Sequence, residues 1–581
     1  MSGNLFSNVK ILWKHFNGKR RLQFKLMLCL MILASLADIL SIGAVFPFFG
    51  ALMSPEQVFK NKYGHMFFEF LNIDAPSQII LPITIVFCLV LLIASGIRIL
   101  SVWLSVRFSF TIGSEISNDI YRRTLYQPYS VHISRNSSEI INGIWIKVSE
   151  VIFYILMPTM TLISSAFLVI ALIVTLCLIT PSSALIAIGG LIIIYAIIIK
   201  LTRQKLKSNS VDIAKESNNI VKNLQEGLSG IRDVLIDGSQ KTFFETYKRT
   251  DHILRRAQGY NQIIAQIPNH LLMGLGMVLI AIIAYTLTLA GGFAKAMPSL
   301  VALTLGLQRL LPAAQLLYTA YSTITGSQAS LHDVVLLLQQ QYPDDIDQIR
   351  SVPLSFNRSI EIQHVSFKYG VSTPLVLNDI SITIKKGHRI GFIGTTGCGK
   401  STLIDIIMGL LEPTSGNLMV DGEIITKDNC SSWQRHIAHV PQNVFLADTT
   451  IEKNIAFGVP DELIDFERIR KAAEQAQLST IIEGWPDKYN TRVGERGVQL
   501  SGGQCQRIGI ARALYKQADL IVLDEATSAL DNETEKEILS SIEALSKDIT
   551  IIMIAHRLNT LTFCDEIIEL GKGVVINKKT L

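Results

Sequence analysis

The apolar positions of this 581-residue chain are unevenly spread. The first ~330 residues carry long apolar runs, and the remainder alternates apolar and polar positions as a water-soluble domain does. A membrane helix needs about 20 mostly apolar residues. Six runs qualify, near 22–52, 79–110, 152–180, 182–202, 263–290 and 298–322. The third and fourth are joined by the tight turn Thr180 to Ser183. Between spans 2 and 3, and between spans 4 and 5, lie long polar, helix-favouring segments. Structureless loops of that length are uncommon, so the membrane helices are expected to continue past the bilayer and to turn near 126–134 and 225–238. Beyond "QQQYPDDIDQIRSVPLSFN" an alternating strand pattern opens at "IEIQHVSFKYG". The expected organisation is a surface helix over 1–21, a six-span membrane domain over 22–325, a linker over 326–357 and an α/β domain over 358–581.

Composition agrees with a membrane half joined to a soluble half. Hydrophobic residues make up 49% and charged residues 17%, against about 25% charged in soluble proteins. A net charge of +5 is too small for this length to indicate nucleic acid. Basic residues crowd the N-terminus (Lys10, Lys14, Lys19, Arg20, Arg21), the 113–150 segment and the 200–256 segment. The positive-inside rule then places the N-terminus, both polar segments and the soluble domain in the cytoplasm. No secretory signal precedes the first run. The seven cysteines form no CxxC pair, which fits free thiols in a reducing compartment. The loop over 53–78 is expected on the outer surface, with a short amphipathic helix near 56–71.

The soluble half carries the chemistry. "HRIGFIGTTGCGKST" is a strand, a glycine-rich loop and a helix start, matching G-x-x-x-x-G-K-[ST] at Gly394, Gly399, Lys400 and Ser401. Such a loop closes backbone N–H groups on phosphate oxygens, here through Gly394, Thr395, Thr396, Gly397, Cys398, Gly399 and Thr402 with their neighbours. Lys400 reaches the β and γ phosphates of ATP, and the Ser401 hydroxyl suits Mg²⁺. "ADLIVLDEATSALD" ends a buried apolar strand at Asp524, placed to hold the metal's hydration shell, with Glu525 beside it to polarise a water. His556 ends the strand of "IIMIAHRL", at the edge where ligands bind in open α/β sheets. Gln442 follows a strand in "HVPQNVFL" and could orient metal and water. "LSGGQ", from Leu500 to Gln504, reads as a second helix mouth suited to an anion.

The ordered set "GTTGCGKST", "PQ", "LSGGQ", "LDEATSALD" and "AHR" resembles the nucleotide-binding domain of ABC transporters. Six spans followed by one such domain is similar to the half-transporter exporter architecture. The fold this implies is a six-helix all-α membrane domain with long intracellular extensions, fused to an α/β P-loop ATPase. The resemblance implies that Tyr369 stacks on adenine and that Gln442 couples the metal site to the membrane domain. It places "VGERG" (Val493 to Gly497) near the intracellular turns, Asp531 at a dimer seam and His556 at the γ-phosphate. It implies that Ser501, Gly502, Gly503 and Gln504 face ATP held by a second, identical subunit. Cys505 stands where many relatives carry a longer polar or basic residue.

For the cargo, ionisable residues within spans are candidates: Arg98, Arg309 and His270, with Asp38. The arginines could line a cavity for an anionic group; the plainer alternatives are snorkelling or a salt bridge to Asp38. The stretches "QPYSVHISRNSSEIIN" and "LQRLLPAAQLL" are similar to segments of bacterial lipid-linked oligosaccharide flippases of the PglK type. That resemblance implies ATP-driven export of a polyprenyl-pyrophosphate glycan, or a similar anionic glycolipid, by a homodimer in the bacterial inner membrane. A third arginine of that group is replaced here near Asn269 and His270. A multidrug or lipid A exporter is the rival expectation, and a non-transporting regulator or channel a further one.

Overall fold

A computed structural model describes residues 5–53, 56, 76–179, 181–291, 293–341, 354–370, 372–525, 532–543, 547–555 and 561–580. The chain divides into two units: Met1–Gln127 with His132–Tyr342, and Pro128–Val131 with Pro343–Leu581.

The first unit is helical. It opens with α1 (Leu5–Lys14), α2 (Gly18–Gly43) and α3 (Val45–Met53). The run expected as one span over 22–52 is thus broken after Gly43. Pro47 has no N–H to give the Gly43 carbonyl one turn back, which ends a continuous helix. The membrane helix also begins at Gly18, ahead of the expected boundary at 21. α4 (Ile80–Leu125) follows, then the short α5 (Tyr129–Ser134) and α6 (Ser137–Ile141). α7 (Val148–Val151) and α8 (Met157–Ile179) continue the third long rod through two π-helical turns, Asn142–Lys147 and Ile152–Leu156. Then come α9 (Pro181–Ser229), α10 (Ile231–Ile236), α11 (Gln240–Gly291) and α12 (Phe293–Gly326).

At 1.5 Å per residue, the 46, 49 and 52 residues of α4, α9 and α11 span roughly 70–80 Å, more than twice a bilayer core of about 30 Å. The rods therefore extend beyond the membrane, and short helices at Tyr129–Ser134 and Ile231–Ile236 occupy the two expected turns. Among the described residues, Gly18–Ser41, Ile80–Leu125 and Ser137–Leu178 are long and apolar enough to cross a membrane. The loop over 57–75 lies outside the described residues.

The extensions are held by packing and by buried polar pairs. Met31, Ile112, Ile120, Val151, Ile155 and Leu331 belong to one core, and Leu172, Leu272, Leu307 and Leu310 to another. Lys147 is buried and ion-paired with Asp333, which spares it the cost of an uncompensated buried charge. The stretch expected as a linker over 326–357 differs from expectation. Residues 328–338 form α13 (Gln328–Leu338), and Leu331, Val334, Val335 and Leu338 are fully buried in the first unit. The apolar positions at i, i+3, i+4 and i+7 make it a packed helix. Residues 342–353 lie outside the described residues.

The second unit holds two sheets. β1 (Ser359–Phe367), β2 (Leu377–Lys385), β4 (Ser415–Val420) and β5 (Glu423–Ile424) form an antiparallel sheet in the order β2-β1-β4-β5. β3 (Arg389–Ile393), β6 (Ile437–Val440), β7 (Leu520–Asp524), β8 (Thr550–Ile554), β9 (Glu566–Gly571) and β10 (Val574–Thr580) form the other, in the order β10-β9-β3-β8-β7-β6. All its pairings are parallel except β9 with β10. Parallel strands are covered on both faces and so read as continuous apolar runs; "LIVL" and "TIIMI" are buried throughout.

Candidate functional site

The parallel register brings four strand ends together. Phe392 on β3 and Asp524 on β7 both pair with Ile554 on β8, and Val440 ends β6 beside Leu523. Ligands of such sheets bind beyond these carboxyl ends. The chain leaves β3 through Gly394, with φ +147°; a Cβ there would lie 2.1 Å from the Leu570 carbonyl oxygen. No other residue fits that corner. The loop re-enters α14 (Lys400–Ile407) through Gly399 at φ +103°.

Within this loop Thr395, Thr396, Gly397 and Ser401 are exposed. Cys398 differs: its side chain is buried in the core and its N–H donates to the Thr395 carbonyl at 3.2 Å. The Lys400 ammonium is nearly buried and donates to the Gly394 and Thr395 carbonyls at 2.8 and 3.2 Å. Its charge is thereby fixed over the mouth of the loop. Thr402, also buried, shares a 3.0 Å hydrogen bond with the Tyr369 hydroxyl. Tyr369 stands edge-on to Phe367 at 5.0 Å, with half its surface open to solvent.

Glu525 follows β7 with φ +49°. A non-glycine residue in that region is strained by about 1–3 kcal/mol, and such strain gathers at functional sites. Its N–H donates to the Ile554 carbonyl at 3.1 Å, and its Oε2 accepts from Gln442 Nε2 at 2.6 Å. Sequence spacing left Gln442 undecided; the fold brings it onto Glu525. Burial and the neighbouring Asp524 carboxylate push the Asp405 carboxyl up to about 6. Asp405 was missed in the sequence, although an acid inside "LIDIIMGLL" is the available signal.

Ser501 caps α19 (Gly502–Lys516); the short helices between are α15 (Cys430–Arg435), α16 (Ile451–Ile455), α17 (Phe466–Gln475) and α18 (Ser479–Glu483). The Ser501 hydroxyl oxygen accepts from Gln504 N–H at 3.2 Å, and the Gln504 side chain accepts from Ser501 N–H at 2.8 Å. This capping box occupies Gln504, which the sequence reading had grouped with the nucleotide contacts. The Ser501 hydroxyl accepts in that bond, so its own proton remains available to an anion. Cys505 is half-buried against Gly497 and the core, and burial raises its thiol. Asp531 and His556 lie outside the described residues.

In the helical unit, Arg98 Nη1 donates to Asp38 Oδ2 at 2.8 Å. The pair lines a cavity of about 210 Å³ between α2, α4 and α8. Arg309 and His270 are exposed and are not among the residues lining this cavity. The two arginines expected to share one surface are thus not brought together there.

Comparison with known proteins decides the family. The description "ABC transporter transmembrane region" matches residues 26–301, and "ABC transporter" matches residues 377–528. The chain belongs to the ABC transporters. It is a half-transporter, joining one transmembrane domain to one ATPase domain, of the ATP-driven exporter kind. The ATP-dependent lipid A-core flippase of Ralstonia nicotianae is 28% identical over 79% of this chain and 78% of that protein. The flippase of the same name from Cupriavidus metallidurans is 29% identical over 80% and 79%. A putative multidrug export ATP-binding/permease protein of Bacillus subtilis is 42% identical over 40% of this chain and 38% of its own. A solved bacterial Atm1-family ABC exporter with ATP bound shares the fold: TM-score 0.79, 23% identity, 97% of this chain and 95% of that one.

The ATPase domain of this ABC transporter implies ATP as its nucleotide. Among the described residues no cluster of three His, Cys, Asp or Glu side chains could hold a metal by itself. The Ser401 hydroxyl, the Asp524 carboxylate and the Gln442 amide oxygen are all hard oxygen donors. That set fits Mg²⁺, which takes one or two protein oxygens and completes its shell with phosphate and water.

Proposed function

We propose that this ABC exporter moves a lipid-linked saccharide, a polyprenyl-pyrophosphate glycan or a similar anionic glycolipid, from the inner to the outer leaflet. It would work as a homodimer in a bacterial inner membrane, with its ATPase domain in the cytoplasm. The carrying observation is Arg98, ion-paired with Asp38 beside a cavity on an otherwise apolar stretch of helices. Placing ionisable groups there is costly and is a mark of function. Arg309 is exposed and would meet an anionic head group. The lipid A-core flippases that match over most of both chains support a lipid cargo bearing sugars and phosphates.

ATP would lie along the glycine-rich loop, with Tyr369 on the adenine and Lys400 on the β and γ phosphates. Mg²⁺, held by Ser401, Asp524 and Gln442, would neutralise phosphate charge. Glu525 orients and deprotonates the attacking water, steered by its bond to Gln442. His556 would complete the γ-phosphate contacts, and Asp531 would lie at the subunit seam. Ser501, Gly502 and Gly503 would close over nucleotide held by the second subunit, so that closure is favoured only while the γ-phosphate is present.

The test is purified dimer in liposomes, with ATP. Movement of a polyprenyl-pyrophosphate glycan to the outer leaflet, with stimulated hydrolysis, supports the reading. Absence of both refutes it. Stimulation by hydrophobic cations alone would favour the drug-export reading, which the Bacillus subtilis relative supports over a smaller part of the chain.

A further inference from the structure

Serines buried between membrane helices ordinarily let two backbones approach closely. At Ser35, Ser101 and Ser105 the helices do not close. They leave the cavity of about 210 Å³ that Asp38 and Arg98 also line. An apolar void of such a size stays dry; this one is lined mostly by apolar atoms, but its carboxylate, guanidinium and hydroxyls give a polar guest partners. Three features define that guest.

The first is charge. Arg98 Nη1 is bound to Asp38 Oδ2, so the pair is neutral as a unit. A phosphate entering here would have to sit beside a carboxylate. The second is hydrogen-bond polarity. Ser35 donates its hydroxyl proton to the Met31 carbonyl at 2.9 Å, Ser105 to the Ser101 carbonyl at 2.7 Å, and Thr161 to the Met157 carbonyl at 3.2 Å. Each hydroxyl has one proton and spends it on its own helix. What it offers the cavity is an oxygen lone pair, and the Asp38 carboxylate offers only acceptors as well. Arg98 keeps guanidinium N–H groups beyond the one given to Asp38, so the lining offers lone pairs and donors together, as the hydroxyls of a sugar require. The third is the opposite wall, where Met157 and Met160 give an apolar, deformable surface.

We propose that this cavity is a saccharide subsite. A neutral sugar ring seats in it, its adjacent hydroxyls donating to Asp38 and to the serine and threonine oxygens, its C–H face against Met157 and Met160. Asp38 becomes a specificity-determining residue, and Arg98 positions that carboxylate instead of holding a pyrophosphate. The transport role of the subsite rests on the glycolipid reading above; its affinity for sugar does not.

The experiment uses the full-length protein in nanodiscs of phosphatidylethanolamine and phosphatidylglycerol, which carry no sugar. Two photoreactive probes are compared: dodecyl maltoside with a diazirine on the sugar, and dodecyl phosphate with a diazirine beside the head group. The maltoside is expected to label the peptides around 31–38, 98–105 and 157–165. Asp38→Asn should lower that labelling at least tenfold. Ser35→Leu, which fills the void and touches neither charge, should do the same. If Asp38→Asn unfolds because Arg98 is left unpaired, the neutral double variant Asp38→Ala/Arg98→Ala replaces it, with thermal unfolding as the check. Labelling spread evenly along the lipid-facing helices, labelling unchanged in both variants, or stronger labelling by dodecyl phosphate overturns the proposal. Specific labelling without movement of polyprenyl-pyrophosphate glycan keeps the subsite and rejects the glycolipid reading. Movement without labelling does the reverse.

Discussion

Replacing Glu525 by glutamine exchanges one oxygen for an NH₂ group and removes one charge. Its consequences divide cleanly into folding and chemistry. The Glu525 side chain accepts from Gln442 Nε2 at 2.6 Å, and its backbone N–H is bound to Ile554. The amide oxygen of Glu525→Gln can still accept from Gln442, and the backbone bond is untouched. A hydrogen bond to a charged group contributes about 1.5–3 kcal/mol and a neutral one about 0.5–1.5. Gln442 is exposed, so the difference shrinks to about 1 kcal/mol or less. The variant should therefore fold and bind ATP nearly as wild type does. Hydrolysis behaves otherwise, because a positioned general base contributes about 10²–10⁴-fold, equal to about 3–5 kcal/mol of barrier at 1.36 kcal/mol per decade. Phosphate release should fall at least a hundredfold, while nucleotide remains trapped in the protein. The assay is steady-state phosphate release together with retention of labelled ATP after rapid gel filtration. Turnover above about a tenth of wild type would remove Glu525 from the role of base. Loss of ATP binding would show that its part is structural.

Lys400→Ala leaves the Gly394 and Thr395 carbonyls without their donor and strips the loop of its charge; ATP affinity, measured by fluorescent-nucleotide titration, should fall tenfold or more. Gly394→Ala drives a methyl group against the Leu570 carbonyl and should displace the loop, lowering both the unfolding temperature and ATP binding. At Asp421, burial alone would raise the carboxyl, but the N–H groups of Asn357, Ser359 and Arg358, at 2.5–2.9 Å, outweigh it and lower the value. A lowered acid stabilises fully above its unfolded value of about 3.9 and loses that contribution as pH falls through the folded value. Asp421→Asn should accordingly cost about 1 kcal/mol or less at pH 7 in denaturant titration, since the group is only partly buried, and that cost should shrink as pH falls below the unfolded value. At Asp405, raised to about 6 by burial and by Asp524, the sign reverses. The folded state keeps its proton where the unfolded state has lost it, so stability declines as pH rises from about 4 to 6. Asp405→Asn should match wild type near pH 4 and melt higher at pH 7.5.

Much of this protein is legible in its sequence. The glycine-rich loop, the strand ending at Asp524 and the helix mouth at Ser501 are contiguous, and local backbone preferences fix each of them. Hydropathy located the three helices that, among the described residues, are long and apolar enough to cross a membrane, because a bilayer core sets a minimum apolar length for a span. The two turns were readable because a rod longer than the bilayer must turn outside it. Boundaries that depend on packing were misread. Residues 328–338 looked like linker until their apolar stripe met Val151 and Ile155, and the first span broke at a backbone bond that Pro47 cannot make.

The two-part organisation and the phosphate-binding chemistry are written in short runs of residues and so could be read along the chain. Long-range folding alone brings Gln442 to Glu525 across 83 positions, Tyr369 to Thr402 across 33, and Arg98 to Asp38 across 60. No local preference encodes such pairings. They arise where a parallel sheet aligns its strand ends, or where two neighbouring helices present opposite charges to one another.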